Sequence, residues 1–178
     1  FAGIFKEAAQ PDEEILSIHI SSGLSGTING AIQAAKNFAG RVAVFDSLTL
    51  SGGERFQVLA AAREESLGWS RAAILERLEA IRASTEVIYT LETLTYLARG
   101  GRIGRVQALA GSLLGLKPVI NVEKADGKYS TVGKARTLQR ALHAITDHLA
   151  NLYPQDVPLW VSVMHGRFSD QATSLASL

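Results

Sequence analysis

Ile15-Leu16-Ser17-Ile18-His19-Ile20 runs straight into Ser21-Ser22-Gly23-Leu24-Ser25-Gly26-Thr27, and these two segments decide the fold. The first is short, mostly apolar and rich in β-branched residues, which predicts a strand. The second is polar and glycine-bearing, a loop. Beyond it Ile28, Ala31, Ile32, Ala35 and Phe38 fall on one helical face, so the spacing predicts a helix over 28–38 with Gly40 just past its end. Val42-Ala43-Val44-Phe45 reads as a second buried strand ending at Asp46-Ser47. A helix follows over 53–66. Gly68 then separates it from another, with Ile74, Leu75, Leu78 and Ile81 at helical spacing and Ser70 as the expected N-cap. Val87-Ile88-Tyr89-Thr90 reads as a third strand. The order β-α-β-α-α-β predicts a parallel sheet covered by helices.

The later residues have a different pattern. Leu91 to Ala98 reads as a short helix broken by Arg99-Gly100-Gly101-Arg102. Val106 to Leu114 is apolar and reads as a helix or buried turn. Pro118–Glu123 and Tyr129–Val132 read as strands on either side of Ala125-Asp126-Gly127-Lys128, where Asp-Gly signals a hairpin. Leu138, Leu142, Ile145 and Leu149 line a helix, Leu159 to Met164 reads as a further strand, and Ser169-Asp170 starts a helix. The expected fold class is α/β. A parallel βαβ part over 1–91 is followed by a second α/β part with an antiparallel hairpin over 92–178.

Composition sets outer limits. Apolar residues are 47% and charged residues 20% of 178, as in ordinary globular chains. Lys plus Arg number 18 against 17 Asp plus Glu, a net charge of +1, which argues against a field that gathers nucleic acid. Cysteine is absent, which excludes disulfides, thiol catalysis and Cys-ligated metals in this stretch. No apolar run approaches the roughly 20 residues of a membrane span, and no leader-like segment opens the chain. These features fit the cytoplasm. The only methionine is Met164 and the first residue is Phe1, so the chain is expected to be the middle of a longer protein, truncated at both termini.

Three segments could carry chemistry. The Ser21–Thr27 loop joins a strand to a helix, where backbone amides face a crevice, and it adds three serines and a threonine. Either it receives a carboxylate or phosphate, or Ser25 or Thr27 simply caps the helix. Arg99-Gly100-Gly101-Arg102-Ile103-Gly104-Arg105 places three arginines around glycines, either an anion clamp or a solvated turn. Lys134-Ala135-Arg136 is either a partner contact or a solvated strand end. Asp46 either supports the serine loop by hydrogen bonding or ends the strand in a plain turn. Gly23-Leu24-Ser25-Gly26-Thr27 lacks the Gly-x-Ser-x-Gly of a nucleophile elbow. Gly111-Ser112-Leu113-Leu114-Gly115-Leu116-Lys117 has the wrong spacing for a Walker loop, and no dinucleotide signature is present. His19, His143, His148 and His165 show no metal spacing. No cofactor or metal is expected.

Ile20-Ser21-Ser22-Gly23-Leu24-Ser25-Gly26-Thr27, Val44-Phe45-Asp46-Ser47, Thr93-Leu94-Thr95-Tyr96-Leu97-Ala98-Arg99-Gly100-Gly101-Arg102-Ile103, Leu116-Lys117-Pro118-Val119-Ile120 and Asp126-Gly127-Lys128, in this order, resemble the DegV family. The resemblance implies two α/β domains with an acyl chain buried between or within them. It implies a bacterial fatty-acid-binding protein that carries the acyl group while a separate kinase subunit forms the acyl phosphate with ATP. It places Ser25 on the fatty-acid carboxylate, with Ser22, Gly26 and Thr27 in the same ligand-binding turn and Arg102 near the head group. Arg105, Lys134 and Arg136 become candidates for contact with the kinase or the transferring phosphate. The expected partners are a long-chain fatty acid, the kinase subunit and, transiently, a membrane surface, but not nucleic acid. The family's Thr-Ser-x-Pro segment would precede Phe1, and its Gly-x-His-x-Gly-Pro-Gly motif is not found before Leu178, so His165 receives no head-group role. Two other classes compete. One is a hydrolase or transferase using Ser25 as nucleophile, weakened by the failed elbow and the lack of an evident base. The other is a regulatory domain meeting a partner through Arg99–Arg105.

Overall fold

The computed structural model describes residues 1–8, 13–106, 115–154 and 156–178. They fall into two compact units. The first is Phe1–Glu86 with Glu123–Lys128, and the second is Val87–Val122 with Tyr129–Leu178. The boundary anticipated at 91/92 lies a few residues inside the second unit.

In the first unit β1 (Ile15–His19) pairs parallel with β2 (Val42–Asp46), placing Ile15 beside Val42 and His19 beside Asp46. Side chains alternate between faces along each strand, and helices cover both faces. Ile15, Val42 and Val44 pack with Phe5 of α1 (Ala2–Ala8) and Ala31, Ala34 and Ala35 of α2 (Thr27–Ala35). Leu16, Ile18 and Phe45 pack with Ala60 and Ala61 of α3 (Ser51–Ser66) and Ile74, Leu78 and Ile81 of α4 (Arg71–Ser84). Two-sided burial explains why both strands read as nearly continuous apolar runs. Ser70 caps α4 as its spacing predicts, accepting the Ala73 amide at 3.3 Å. The α2 helix tightens into a 3₁₀ turn over Lys36–Phe38, and its left-handed turn starts at Ala39, one residue before Gly40. The α1 helix had no counterpart in the sequence reading.

The second unit holds an antiparallel sheet in the order β3 (Ile88–Thr90), β4 (Lys117–Val122), β5 (Tyr129–Ala135). This corrects one expectation, because β3 does not extend the parallel sheet; it pairs with β4. The short helix is α5 (Thr95–Arg99), later than expected because Thr93 and Thr95 first make a hydroxyl-capped turn. The register of β5 slips between Val119 and Ile120, leaving Val132 as the extra residue of a bulge. Beyond it α6 (Leu138–Leu152) lays Ala141 and Ile145 on Val119, Ile88 and Val132, and α7 (Ser169–Ser177) adds Leu175. Thr137 caps α6 through the Arg140 amide.

Leu159–Met164 is not a strand. Among the described residues no strand pairs with it, and Leu159, Trp160, Val161 and Met164 are exposed. Strand composition without a ladder partner does not make a strand. The expectation for Val106–Leu114 falls mainly on 107–114, outside the described residues.

Candidate functional site

Both parallel strands end in hydroxyl-rich loops that lead into helices, at the carboxyl edge where open α/β sheets place their ligands. The Ser21–Thr27 loop is built from the inside out. Ser21 is fully buried; its amide donates to Thr49 O at 2.8 Å and its hydroxyl donates to Gly127 O at 2.8 Å. The same Oγ accepts the Gly23 amide at 3.0 Å, and Ser21 O accepts the Leu24 and Ser25 amides, both at 3.0 Å. Ser21 therefore folds the loop back on itself and ties it to the Glu123–Lys128 turn.

Asp46 does the supporting work that its position allowed. Its Oδ1 accepts the Ser22 amide at 3.1 Å and the Leu48 amide at 3.0 Å. Leu48 sits in the left-handed region, φ +49°, an uncommon backbone state for a leucine that the Asp46 bond holds in place. Arg82 anchors the Asp46 main-chain oxygen at 2.8 Å, lies 5.2 Å over the Phe45 ring and pairs with Glu79. Beneath the loops Ser47, Thr49 and Gln57 are buried; Thr49 donates its amide to Ser47 Oγ at 3.3 Å, and Gln57 Nε2 donates to Ser47 O at 3.2 Å. The sequence reading passed over this second loop. Its signal was present, since Ser47-Leu48-Thr49-Leu50-Ser51-Gly52-Gly53 repeats the strand, hydroxyl-and-glycine, helix pattern of 21–27.

At the outer edge Ser25 is half-buried, and Ser22, Gly26 and Thr27 are exposed. The Ser25 and Thr27 hydroxyls lie 2.8 Å apart, and Ser25 Oγ also accepts the Thr27 amide at 3.3 Å. This is a local serine turn ahead of α2: the N-cap position is Gly26 and no side chain caps the helix, so the helix-cap alternative for Ser25 and Thr27 is not what forms. A hydroxyl has two lone pairs and one proton. Either hydroxyl can donate in this pair: where Thr27 donates, both Ser25 lone pairs are taken and the Ser25 proton is free; where Ser25 donates, the free proton is that of Thr27. Neither a histidine nor a carboxylate bonds Ser25 Oγ among the described residues, so the base needed by a serine nucleophile is not in place there.

His19 lies beneath this edge, buried, 2.8 Å from Ser17 Oγ and edge-on to Phe1 at 5.3 Å. Burial lowers its pKa, with neighbouring Asp46 pulling weakly the other way. A folded pKa below the unfolded one means that the unfolded chain takes up the proton first, so stability falls as the pH drops below about 6.5. Denaturant midpoints between pH 7 and 5 should fall in the wild type and fall less in His19→Gln; equal slopes would free His19 of this role.

The remaining candidates stand in the second unit. Arg102 follows the turn at Gly100-Gly101, with Gly101 at φ +70°, and its guanidinium donates to Gly100 O at 2.6 Å. The 3₁₀ turn Gly104–Val106, which carries Arg105, packs on β5, the strand that holds exposed Lys134; exposed Arg136 follows β5 directly. His165 accepts the Phe168 amide at 3.2 Å, a local turn contact. Among the described residues there is no cluster of His, Asp and Glu fit for a metal ion, and no helix long and apolar enough to cross a membrane.

The fold and these loops define an α/β protein with hydroxyl-rich loops at the ends of two parallel strands. The chain belongs to the DegV family: the family model described as "Uncharacterised protein, DegV family" matches residues 1–178. A DegV domain-containing protein of Deinococcus radiodurans is 43% identical over 160 residues, 89% of this chain and 55% of the relative. A solved structure entitled "Fatty Acid Binding of a DegV family Protein from Thermus thermophilus" superposes with a TM-score of 0.78 at 38% identity, covering 84% of this chain and 53% of that one. DegV of Bacillus subtilis, described as a fatty acid binding protein, gives 0.82 at 28% identity, over 99% and 62%. The chain spans about half the length of curated relatives that it matches.

Proposed function

We propose that the protein binds a long-chain fatty acid, with the carboxylate at the Ser21–Thr27 loop, and presents it to a separate kinase subunit that makes the acyl phosphate. The observation that carries this reading is the hydroxyl pair of Ser25 and Thr27 at the rim of the loop, 2.8 Å apart, in which one hydroxyl donates to the other and one proton stays available to a ligand. Fatty-acid binding by relatives 38% and 28% identical to this chain supports it. Ser25 donates to the carboxylate, Gly26 and Thr27 shape the turn, and Ser22 borders it. In the second unit we assign Arg102 to the head group and Arg105, Lys134 and Arg136 to the phosphate-transferring partner. The chemistry then resides on the kinase, in the cytoplasm. Affinity comes mainly from the acyl chain, at about 0.8 kcal/mol per buried CH₂. The hydroxyl contributes about 1.5–3 kcal/mol and fixes the orientation.

Native mass spectrometry of the protein purified from a bacterial host should show a retained long-chain fatty acid, or uptake of one on titration. A spectrum that stays free of acyl adducts throughout the titration rejects the reading.

A further inference from the structure

The proposed carboxylate site already holds an anion. Asp46 lies at the base of the loop, bonded to the Ser22 amide, and an incoming carboxylate must be held close to it. Three cations of the first unit are engaged elsewhere. Arg82 pairs with Glu79 and reaches the Asp46 main chain, Arg71 pairs with Glu14 and bonds Gly40 O, and Lys124 pairs with Glu86.

Lys128 differs from these three, above all in position. It closes the Glu123–Lys128 turn that Ser21 ties down, it is exposed, and its ammonium has no ion pair among the described residues. Its stem crosses the serine loop: a methyl group on Gly23 would lie 2.9 Å from Lys128 Cγ, and closer still to Asp126 O. A glycine at 23 is what lets the lysine lie there. From Cγ the chain runs on through three bonds of about 1.5 Å each, enough to bring the ammonium over the Ser22–Ser25 stretch. The adjacent Asp126 carboxylate is turned to the Lys128 main-chain amide, at 3.2 Å.

We propose that Lys128 is a cation of the head-group site, its ammonium pairing with the acyl carboxylate above Gly23 and offsetting the charge of Asp46. This rests on the fatty-acid reading, so its test separates the two. Palmitic acid and cetyl alcohol, equal in chain and different in charge, are titrated into the wild type, Lys128→Met and Lys128→Arg. Lys128→Met should weaken palmitic acid about fivefold and leave cetyl alcohol unchanged, and Lys128→Arg should hold the acid near wild-type affinity. Equal loss for both ligands would make Lys128 a packing residue, and an unchanged acid affinity would remove it from the site; either overturns the proposal. A wild type that takes up neither ligand defeats the fatty-acid reading itself, a result distinct from any shown by the variants.

Discussion

Gly127→Ala should cost about 3 kcal/mol of folding stability, the sum of a left-handed alanine and an overpacked contact. Gly127 has φ +63°, where an L side chain is strained, and a Cβ there would fall 1.9 Å from Ser21 Oγ and 3.1 Å from Leu48 Cα. Neither neighbour can give way easily. Ser21 is fully buried and bonds Gly127 O, and Leu48 is itself held in an unusual backbone state by Asp46. The comparison that isolates the steric part is Gly40→Ala, where φ is +79° but nothing lies within 4 Å of the added methyl. That variant should cost about 1 kcal/mol, from backbone conformation alone. Urea denaturation of both variants reads the difference. Equal losses would mean that the turn does not press on the serine loop.

The turn shows where sequence reading stops. Asp126-Gly127 signals a hairpin locally, and β4 and β5 form around it. That Gly127 must also meet Ser21 depends on a contact 106 residues away in the chain, which no local pattern encodes. The same limit explains β3. Its three residues, Ile88–Thr90, read as a strand, but periodicity does not choose between β2 and β4 as its neighbour. Leu159–Met164 fails for a related reason, since apolar composition is a local property and pairing is not. What was legible is what local chemistry decides. The β1 and β2 strands are mostly apolar because both faces are covered; Ser70 caps because its hydroxyl reaches an amide three residues on; and Asp46 supports the loop because a carboxylate at a strand end lies beside the next loop's amides. The α1 helix went unread because seven residues hold only one buried side chain, Phe5, too little for a period.

The loops also show how a site can be rigid at its base and open at its rim. Below, Ser21, Ser47, Thr49 and Gln57 hold the two strand ends through buried hydrogen bonds. Such bonds are costly to break, because a buried donor or acceptor left unpaired loses about 1–3 kcal/mol. Above, Ser22, Gly26 and Thr27 are exposed and Ser25 half-buried; the Ser22 amide is taken by Asp46 and the Thr27 amide by Ser25 Oγ, which hold the rim in shape. On the proposed reading a carboxylate arriving there meets a hydroxyl pair already held in place, the condition under which a few polar contacts fix orientation without dominating affinity.

Ser25→Ala should weaken palmitic acid binding about thirtyfold, the equivalent of the roughly 2 kcal/mol expected for a hydrogen bond to a charged group. Thr27→Val should weaken it only a few-fold. The asymmetry follows from the geometry. Ser25 Oγ receives the Thr27 amide at 3.3 Å and lies 2.8 Å from Thr27 Oγ1. Under the proposed assignment Thr27 donates its hydroxyl to Ser25, Ser25 is the donor to the ligand, and Thr27 only polarises it. Removing the Thr27 hydroxyl leaves the Ser25 proton and its amide contact in place; removing Ser25 deletes the donor. Ser25→Ala also removes the turn contact that its hydroxyl makes with the Thr27 amide, so a loss of folded protein could imitate a loss of binding. Cetyl alcohol separates the two, because a stability defect weakens both ligands whereas a lost carboxylate donor weakens the acid more. If Thr27→Val proves the more damaging variant, the outward proton belongs to Thr27 and the assignment of Ser25 is reversed. If neither variant discriminates acid from alcohol, the loop does not hold the carboxylate.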